Sequence, residues 1–414
     1  MIDKKLTIFQ VSRFFNDVGG AQSCFIALNE LLQDKDHKVI VLAARHNKNI
    51  QSVYNKYFVK RFSQDDYNTM SPIDNVMAVI NSIWAIDVYV NAKKLIKKYK
   101  PDIADIHNIY YQISPSIFSS VSNYDIPIVQ HLHDYSMYCI NGVCEINEST
   151  CTKCMHNNYY YAVKNKCYLN STIKSIVGVT SHILNKDLLK YQKHINKFIV
   201  TSHFQRKFLS SWGLSEDKME VLPLFFDKDK YPIIQDSREE NIILFSGEMK
   251  YRKGPTLIYE LAKRMKNIQF VLAGRGPYTE ILSLRAKNEN INNLIFYDYL
   301  DKAELFQIVS KSLLIIMPSL FYESFGRVII EAFAHGKPVV GSRIGSIPEI
   351  INDSYNGFTF EPGNILDLFE KVDFLVKNTK LRHEMGFNAR RDYLLKYSKD
   401  IYYNNLMKIY KSIL

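Results

Sequence analysis

The sequence predicts an α/β protein with two doubly wound parallel sheets. Short apolar runs alternate with longer amphipathic segments along most of the chain, and this alternation is typical of parallel strands joined by crossover helices. A polar stretch that contains a proline and has no clear period, residues 226–240, separates two such blocks and is typical of a linker. Two Rossmann-like domains that face each other across a cleft follow from this arrangement.

Each block contains five candidate strands, which are short apolar runs bounded by turn-forming residues. The five of the first block are residues 6–11, 38–43, 102–106, 126–131 and 197–201. The five of the second block are residues 241–246, 268–273, 293–297, 313–317 and 338–341. The C-terminal residues 380–414 are typical of two helices with a break near Tyr397 and Ser398.

Length and composition favour a folded protein of the cytoplasm. The 414 residues are enough for two separate cores, and 47% hydrophobic with 23% charged residues is a globular composition. The N-terminus lacks the apolar core of a signal peptide, and the longest uncharged apolar stretch, residues 75–86, is too short to span a bilayer. We therefore expect reduced cysteines.

The net charge of +11 would attract nucleic acid, anionic lipid or phosphorylated substrates. No nucleic-acid-binding motif is found in the sequence, so nucleic acid is not an expected partner. The lysine-rich run 93–100 ends a segment that carries Ile80, Trp84 and Leu95. Such a helix either lies on an anionic membrane or packs into the core with solvated lysines. Core packing is the simpler interpretation of the helix itself.

The most informative stretch is Ser-Leu-Phe-Tyr-Glu-Ser-Phe-Gly-Arg-Val-Ile-Ile-Glu, residues 319–331. It follows a predicted strand and enters a helix, residues 326–335, that stops at Gly336. A loop in this position lies at the carboxyl edge of the sheet, where open α/β folds bind ligands, and the first helical amides can hold an anion. Glu323 precedes those amides and Glu331 lies one to two turns inside, so one acid would reach a group beside a phosphate and the other a ribose diol.

This stretch resembles the donor-sugar signature of the retaining glycosyltransferases of family four, which have the GT-B architecture. The family pattern is Glu, seven residues, Glu, followed by Gly-Lys-Pro-Val-Val, as in residues 336–340 here. The resemblance implies that Glu323 contacts the transferred sugar and that Glu331 binds the nucleotide ribose. Two solvated helix carboxylates are the alternative interpretation. The donor-site residues implied between the two acids are Ser324, Phe325, Gly326 and Arg327.

The resemblance also implies a division of the chain into domains. Residues 1–228 would form the N-terminal acceptor-binding domain, with a cysteine-rich insertion at 139–167. Residues 229–395 would form the nucleotide-sugar-binding domain. Residues 396–414 would form a helix that crosses back to the first domain, as the last helix does in GT-B enzymes.

A second stretch, residues 245–254, resembles the family's Gly-Arg-Leu-x-x-x-Lys-Gly pattern, in which Arg and Lys neutralise the donor diphosphate. Lys253 matches this pattern, whereas Glu248 stands at the Arg position. Either Arg252 supplies the second positive charge, or the site relies on Lys253 and backbone amides. A surface lysine at a helix start is the simpler alternative.

Glycine turns mark two further parts of the expected donor site. Gly274, Gly276 and Pro277 resemble the Gly-x-Gly-Pro turn beneath the nucleobase, although any tight turn can use Gly-x-Gly. Tyr299 follows at the place where backbone groups read the base.

Gly19 and Gly20 resemble the family's Gly-Gly loop after the first strand, where the backbone can approach a phosphate at a helix N-terminus. The alternative is an ordinary glycine helix cap.

The acceptor side is expected at the ends of two strands of the first domain. His133 and Asp134 lie in a segment that resembles the family's Leu-His-Asp-Tyr, whose His lies near the reacting sugar. His107 and Asn108 follow the preceding strand and are the second candidates. The expected catalytic set is therefore Glu323, His133 and Lys253, with His133 acting either as a sugar-binding group or in proton transfer.

Five of the six cysteines lie in the insertion. Cys139, Cys151, Cys154 and Cys167 have spacings that suit a structural zinc, and Cys144 could replace one of them. A subset of the family carries a similar insertion. Free thiols or a disulfide are the alternatives, and the catalytic step is expected to need no metal.

Together these features predict a retaining, metal-independent glycosyltransferase that forms an α-linkage from a nucleotide-diphosphate sugar. The acceptor would be a saccharide or a lipid-linked saccharide in bacterial surface polysaccharide synthesis (O-antigen, capsule or lipopolysaccharide), at the inner face of the cytoplasmic membrane. A GT-B nucleotide-sugar epimerase or phosphorylase is the alternative enzyme. A basic, zinc-stapled protein that binds a membrane or nucleic acid is the non-enzymatic alternative.

Overall fold

The computed structural model describes residues 4–61, 71–231 and 239–414 and contains two six-stranded parallel sheets, as the sequence predicts. The first sheet has the order β2-β1-β3-β4-β7-β8. Its strands are β1 (Thr7–Phe14), β2 (Lys38–Ala44), β3 (Ile103–Ile106), β4 (Ile128–Leu132), β7 (Lys197–Val200) and β8 (Met219–Val221). The short strands β5 (Glu145–Ile146) and β6 (Ser149–Thr150) form a separate antiparallel hairpin within the insertion.

The second sheet has the order β11-β10-β9-β12-β13-β14. Its strands are β9 (Ile242–Ser246), β10 (Gln269–Ala273), β11 (Leu294–Tyr297), β12 (Leu314–Met317), β13 (Val339–Ser342) and β14 (Gly357–Phe360). In both sheets the carboxyl ends of the strands form one edge, because all neighbouring strands are parallel.

Helices cover both faces of each sheet, so each sheet separates two apolar cores. Those before residue 231 are α1 (Gly20–Asp34), α2 (Pro72–Ile83), α3 (Ile86–Tyr99), α4 (Tyr110–Ile113), α5 (Ser116–Ser122), α6 (Tyr160–Lys164), α7 (Thr172–Ile183) and α8 (His203–Ser211). Those after residue 239 are α9 (Pro255–Arg264), α10 (Pro277–Asn288), α11 (Lys302–Lys311), α12 (Arg327–Ala334), α13 (Ile347–Ile350), α14 (Ile365–Lys377), α15 (Thr379–Asp392) and α16 (Lys399–Lys411).

All ten predicted strands form, with ends that differ by a few residues. The strands β8 and β14 were not predicted, because both are short edge strands. The predicted break in the C-terminal tail is present, since α16 begins directly after Ser398. Residues 232–238 of the predicted linker lie outside the described residues.

The last helix, α16, packs against the first sheet. Its apolar side chains are buried in the same core as those of β1 and α1. At the surface, Lys35 pairs with Asp400 at 2.7 Å, and the Nε2 atom of His37 lies 2.9 Å from the hydroxyl of Tyr403. The end of the chain therefore completes a core that begins at its first strand.

The segment before the lysine-rich run forms two helices, α2 and α3, joined at an angle of 51°. Core packing with solvated lysines is correct for α3, which buries Val88, Ala92, Leu95 and Ile96. It is wrong for α2, whose apolar residues lie largely at the surface. In the described part of the chain no single helix is long and apolar enough to cross a bilayer, and only the bent pair of α2 and α3 meets that criterion, by length and composition alone.

Candidate functional site

The 319–331 stretch lies where the sequence predicts it, at the carboxyl edge of the second sheet between β12 and α12. Gly326 precedes α12 with φ 90°, and Gly336 follows it with φ 66°, so both glycines have the left-handed backbone that suits their positions. Phe325 is buried beneath the turn. Gly345 of the loop after β13 packs so closely that an added Cβ would lie 2.5 Å from the backbone nitrogen of Glu323.

Glu323 and Lys253 are brought together, although 70 residues separate them in the chain. The Nζ atom of Lys253 donates to Oε1 of Glu323 at 2.7 Å, and the hydroxyl of Ser319 donates to the same oxygen at 2.7 Å. Glu323 is only 7% exposed. The contact requires Gly254, where an added Cβ would lie 2.0 Å from the carbonyl oxygen of Pro318. The two predicted donor motifs thus form one charged pair.

Glu331 points towards the first domain. Its Oε1 atom lies 2.9 Å from Nε of Arg327, and Arg327 in turn approaches the sulfur of Cys24 on α1 at 4.0 Å. Burial raises the pKa of Glu331, although Arg327 acts in the opposite direction. Gly19 caps α1 with φ 86° and Gly20 is its first residue, and Cys24, which Arg327 approaches, lies about one turn farther along the same helix.

Arg252 is not a free cation in this arrangement. Its guanidinium donates to Glu248 and lies 3.9 Å from Oε2 of Glu145 in the β5–β6 hairpin. The acid at the usual Arg position therefore neutralises the residue that was expected to replace it. Lys253 is therefore the better candidate to bind an anion in the crevice. To do so, the anion must compete with Glu323 for the ammonium group of Lys253.

The predicted nucleobase turn packs directly on the 247–249 backbone. An added Cβ at Gly274 would lie 1.8 Å from the carbonyl oxygen of Gly247, and one at Gly276 would lie 2.3 Å from that of Met249. Pro277 then starts α10. Tyr299 is largely exposed, with the guanidinium of Arg275 5.8 Å from its ring centre.

On the first domain, His133 belongs to a stack of three imidazole rings that includes His107 and His131. Nδ1 of His107 lies 3.0 Å from Nε2 of His133. Beneath the stack, Oδ1 of the fully buried Asp105 lies 2.9 Å from Nε2 of His131 and 3.5 Å from Nε2 of His107. The other oxygen, Oδ2, accepts from the hydroxyl of Tyr410 on α16 at 2.8 Å.

The environment keeps His107 and His133 neutral. Burial, reinforced by the neighbouring rings, lowers the pKa of His107 to about 4 and that of His133 well below its usual value. Burial opposes the ionisation of Asp105, but His131 and His107 outweigh it and hold the pKa of that carboxyl well below its usual range. His133 can therefore accept or donate a hydrogen bond at neutral pH without carrying a charge.

Sequence reasoning missed Asp105 and His131. The signal was available, because Asp-x-His ends β3 and His-x-His ends β4, and these are neighbouring parallel strands with Asp105 beside Val129. Side chains two residues apart point to the same face of a sheet. Two such patterns at one edge therefore predict a cluster.

A cavity of about 220 Å³ adjoins this cluster. Its walls include Asn108, His131 and Asp134, together with Arg13 from the end of β1. The carboxylate of Asp134 is held by the backbone nitrogen and hydroxyl of Ser136. The predicted acceptor residues Asn108 and Asp134 thus line one cavity, whereas His107 and His133 are not among its lining residues.

The 319–331 loop docks through Ser324 on the segments that are predicted to form the acceptor side. Its carbonyl oxygen accepts from the hydroxyls of Thr201 and Ser202 at 2.8 Å each, and its own hydroxyl donates to the carbonyl oxygen of His133 at 2.8 Å. The acidic motif and the histidine segment, 191 residues apart in the chain, therefore meet in the interdomain crevice.

The four predicted zinc ligands surround one small enclosed cavity, next to Trp212. Among the described residues, however, the one group of three or more metal-binding side chains at ligand spacing is His107, His131 and His133. The thiol of Cys139 instead donates to Asn141 at 2.9 Å. The four thiols match a zinc site in number and kind, but their sulfur atoms do not all lie within ligand distance of one another. A zinc site therefore stays a prediction. The four thiols of this cavity belong to Cys139, Cys151, Cys154 and Cys167.

Comparison with known proteins places these features in a family. Residues 18–230 match the family described as Glycosyltransferase Family 4, and residues 227–392 match Glycosyl transferases group 1. An uncharacterized glycosyltransferase of Methanocaldococcus jannaschii is 26% identical over 297 residues, which are 69% of each chain.

Two further proteins are similar over different parts of the chain. The N,N'-diacetylbacillosaminyl-diphospho-undecaprenol alpha-1,3-N-acetylgalactosaminyltransferase of Campylobacter jejuni is 25% identical over 238 residues, covering 54% of this chain and 62% of its own. The Anabaena protein HepE, solved in complex with UDP and glucose, superposes with a TM-score of 0.66 at 15% identity, over 98% of this chain and 100% of its own. The fold is that of the GT-B glycosyltransferases, and the chain belongs to glycosyltransferase family 4.

Proposed function

We propose that this protein is a retaining glycosyltransferase that transfers a sugar from a nucleotide-diphosphate sugar to a saccharide or lipid-linked saccharide acceptor. The observation that carries the proposal is the Lys253–Glu323 pair in the crevice, held by a loop that docks on the backbone of His133. A cation, a buried acid and a neutral imidazole segment at one interdomain edge suit the transfer of a sugar away from a diphosphate.

Each group has a proposed part in the transfer. The leaving diphosphate gains negative charge as the glycosidic bond breaks, and Lys253 with the first amides of α12 would stabilise it. Glu323 would orient the sugar as it becomes oxocarbenium-like, and Glu331 would bind the ribose. His133, being neutral, would hold a sugar hydroxyl, while the leaving phosphate accepts the acceptor's proton. The reaction would give an α-linkage without a metal ion.

The relatives support the substrate classes. The name of the Campylobacter relative describes transfer to a saccharide on undecaprenol diphosphate with an alpha linkage, and HepE was solved with UDP and glucose. We propose the same classes here, in bacterial surface polysaccharide synthesis at the inner face of the cytoplasmic membrane. We also propose that residues 1–228 bind the acceptor, that residues 229–395 bind the donor, and that zinc fills the cysteine cavity.

The test measures hydrolysis and transfer from a panel of labelled UDP-, GDP- and ADP-sugars. We expect Lys253→Met to lower kcat by about a hundredfold, because removing one preorganised charge typically costs about 3 kcal/mol of transition-state stabilisation. Lys250→Met is the matched control, since Lys250 lies on the same loop but pairs with Glu248 at the surface. Full activity of Lys253→Met or of Glu331→Ala would overturn the assignment. Absence of nucleotide binding by calorimetry would favour a non-enzymatic binding protein.

A further inference from the structure

Helix α2 presents an apolar face to solvent. Ile73, Val76, Met77 and Ile80 follow the i, i+3, i+4, i+7 spacing of one helical face, and they are between 47% and 75% exposed. A surface helix of a globular protein normally turns such a face towards the core. Here the apolar stripe points outwards, so a partner outside the domain is needed to cover it.

Helix α7 repeats this pattern beside α2. Ile173, Ile176 and Ile183 are exposed on one side of α7, and Leu188 is exposed in the turn that follows. Lines of apolar residues on two helices in contact form a larger surface than scattered exposed side chains do.

The two helices pack on each other through small polar residues. The hydroxyls of Ser82 and Ser181 lie 3.3 Å apart and are buried, and the side-chain amide of Asn185 donates to the carbonyl oxygen of Ser82 at 3.3 Å. Because the contact uses the small residues, the apolar residues of both helices are left on the outside. We call this outer surface the α2–α7 face.

The charge around the α2–α7 face identifies the partner. Residues 72–83 and 160–194, which include α2 and α7, together hold six Lys and two Asp and so carry a formal charge of +4. Tyr160 adds an exposed aromatic ring beside Lys164, a combination suited to a membrane interface. A second copy of the chain would bring the same charge against itself and be repelled, whereas an anionic bilayer offers both apolar depth and negative charge.

The α2–α7 face also borders the candidate acceptor site. Ser82 of α2 and Gly178 and Ser181 of α7 line the same cavity as His131 and Asp134. The two helices that carry the exposed apolar residues therefore also form part of the wall of that cavity.

We propose that the α2–α7 face is the membrane-docking surface of this protein and that its partner is the surface of a bilayer rich in anionic lipid. The inference rests on the proposed function for its biological sense, because docking there would bring a lipid-carried acceptor to the cavity. Its physical basis is independent of that function, since it comes from the exposed apolar stripes and the surrounding lysines.

The experiment is co-sedimentation of the full chain with vesicles of phosphatidylcholine alone or of equal parts phosphatidylcholine and phosphatidylglycerol. We expect binding to the anionic vesicles, weakened by salt, and a loss of about tenfold or more in the double variant Val76→Glu/Ile173→Glu. The matched control is Leu366→Glu/Phe387→Glu, which changes two equally exposed apolar residues of the second domain and should bind as the wild type does. Circular dichroism melts establish that each variant is folded.

Several results would overturn the docking surface. Failure of the wild type to bind anionic vesicles would do so, as would equal binding by the two double variants. Dimerisation of the wild type that is lost in Val76→Glu/Ile173→Glu would assign the surface to a second copy instead. Hydrolysis of the donor sugar, measured without vesicles, separates the two proposals. If every form lacks hydrolysis while docking behaves as expected, the proposed function fails and the docking surface stands.

Discussion

Asp105 shows how a single buried carboxylate can organise a site that it does not enter. Two histidines approach one of its oxygens, and Gln10 and Tyr410 donate to the other at 3.2 and 2.8 Å. A buried charge is tolerated only when such partners compensate its lost hydration. Because His107 links this carboxylate to His133, the orientation of the candidate acceptor histidine depends on residues from β1, β3 and α16.

The depressed pKa values of the histidines predict a pH dependence of stability. His107 has a pKa of about 4 in the folded chain and about 6.5 when unfolded, so the unfolded chain takes up a proton that the folded chain refuses. The free energy of unfolding should then be constant above about pH 6.5 and fall as the pH drops towards 4, by up to about 3 kcal/mol from this residue. Asp105 stays ionised through this window.

Urea denaturation at pH 7.5, 6 and 5 measures this effect. We expect His107→Gln to flatten the decline and His203→Gln, a change at an exposed histidine, to leave it as in the wild type. A decline that is the same in all three proteins would show that His107 does not carry it.

Helix α16, at the far end of the chain, contributes buried side chains to the core of the first domain. Tyr402, Leu406, Met407 and Tyr410 are buried against residues of β1 and α1. Fully burying one side chain of this size typically contributes about 2 kcal/mol. The first domain therefore reaches its full core only when the last helix has docked.

Leu406→Ala should lower the free energy of unfolding by about 2–5 kcal/mol, because Leu406 is fully buried and its truncation leaves a cavity. Denaturant titration followed by circular dichroism measures the change. Leu414→Ala, at the largely exposed last residue, is the control and should change the free energy by less than about 0.5 kcal/mol. A similar small change for Leu406→Ala would contradict the role given to α16.

The elements also show what the sequence could and could not predict. Apolar runs predicted ten strands, because buried parallel strands are apolar on both faces. The edge strand β8 has only three residues, Met-Glu-Val, too few for a pattern. The exposed α2 was assigned wrongly, since an apolar stripe has the same periodicity whether it faces a core or the surface of the domain. Motif spacing selected Glu323 and Lys253, which the structure brings into contact. It could not foresee that Glu248 pairs with Arg252, because that contact depends on how one loop folds.

At the scale of the whole molecule, the two domains touch through polar contacts and through the ring of Tyr322, which packs on Phe204 and Phe208. Lys302 pairs with Asp17, and Lys230 with Glu30, on partly exposed surfaces. Exposed pairs of this kind contribute about 0–1 kcal/mol each. Relative motion of two domains is the default unless their interface is large and hydrophobic, so single well-placed polar groups can influence how the domains sit together.

Glu349 is such a group. One carboxylate oxygen accepts from the backbone nitrogen of His203 at 2.8 Å and the other from that of Phe204, so an acid of the second domain caps helix α8 of the first. An acid at a helix N-terminus contributes about 0.5–2 kcal/mol. This contribution is large compared with each surface ion pair.

Glu349→Ala should therefore loosen the interdomain arrangement without unfolding either domain. Small-angle X-ray scattering of the unliganded protein should give a larger radius of gyration for Glu349→Ala than for the wild type, while Glu349→Gln, which keeps an acceptor for one of the two amides, should lie between them. Glu384→Ala, at an exposed acid of α15, should scatter as the wild type does. Because a donor nucleotide would bind both domains across the crevice, saturating UDP should reduce the difference. Superimposable curves for all four proteins without nucleotide would show that other contacts hold the domains together.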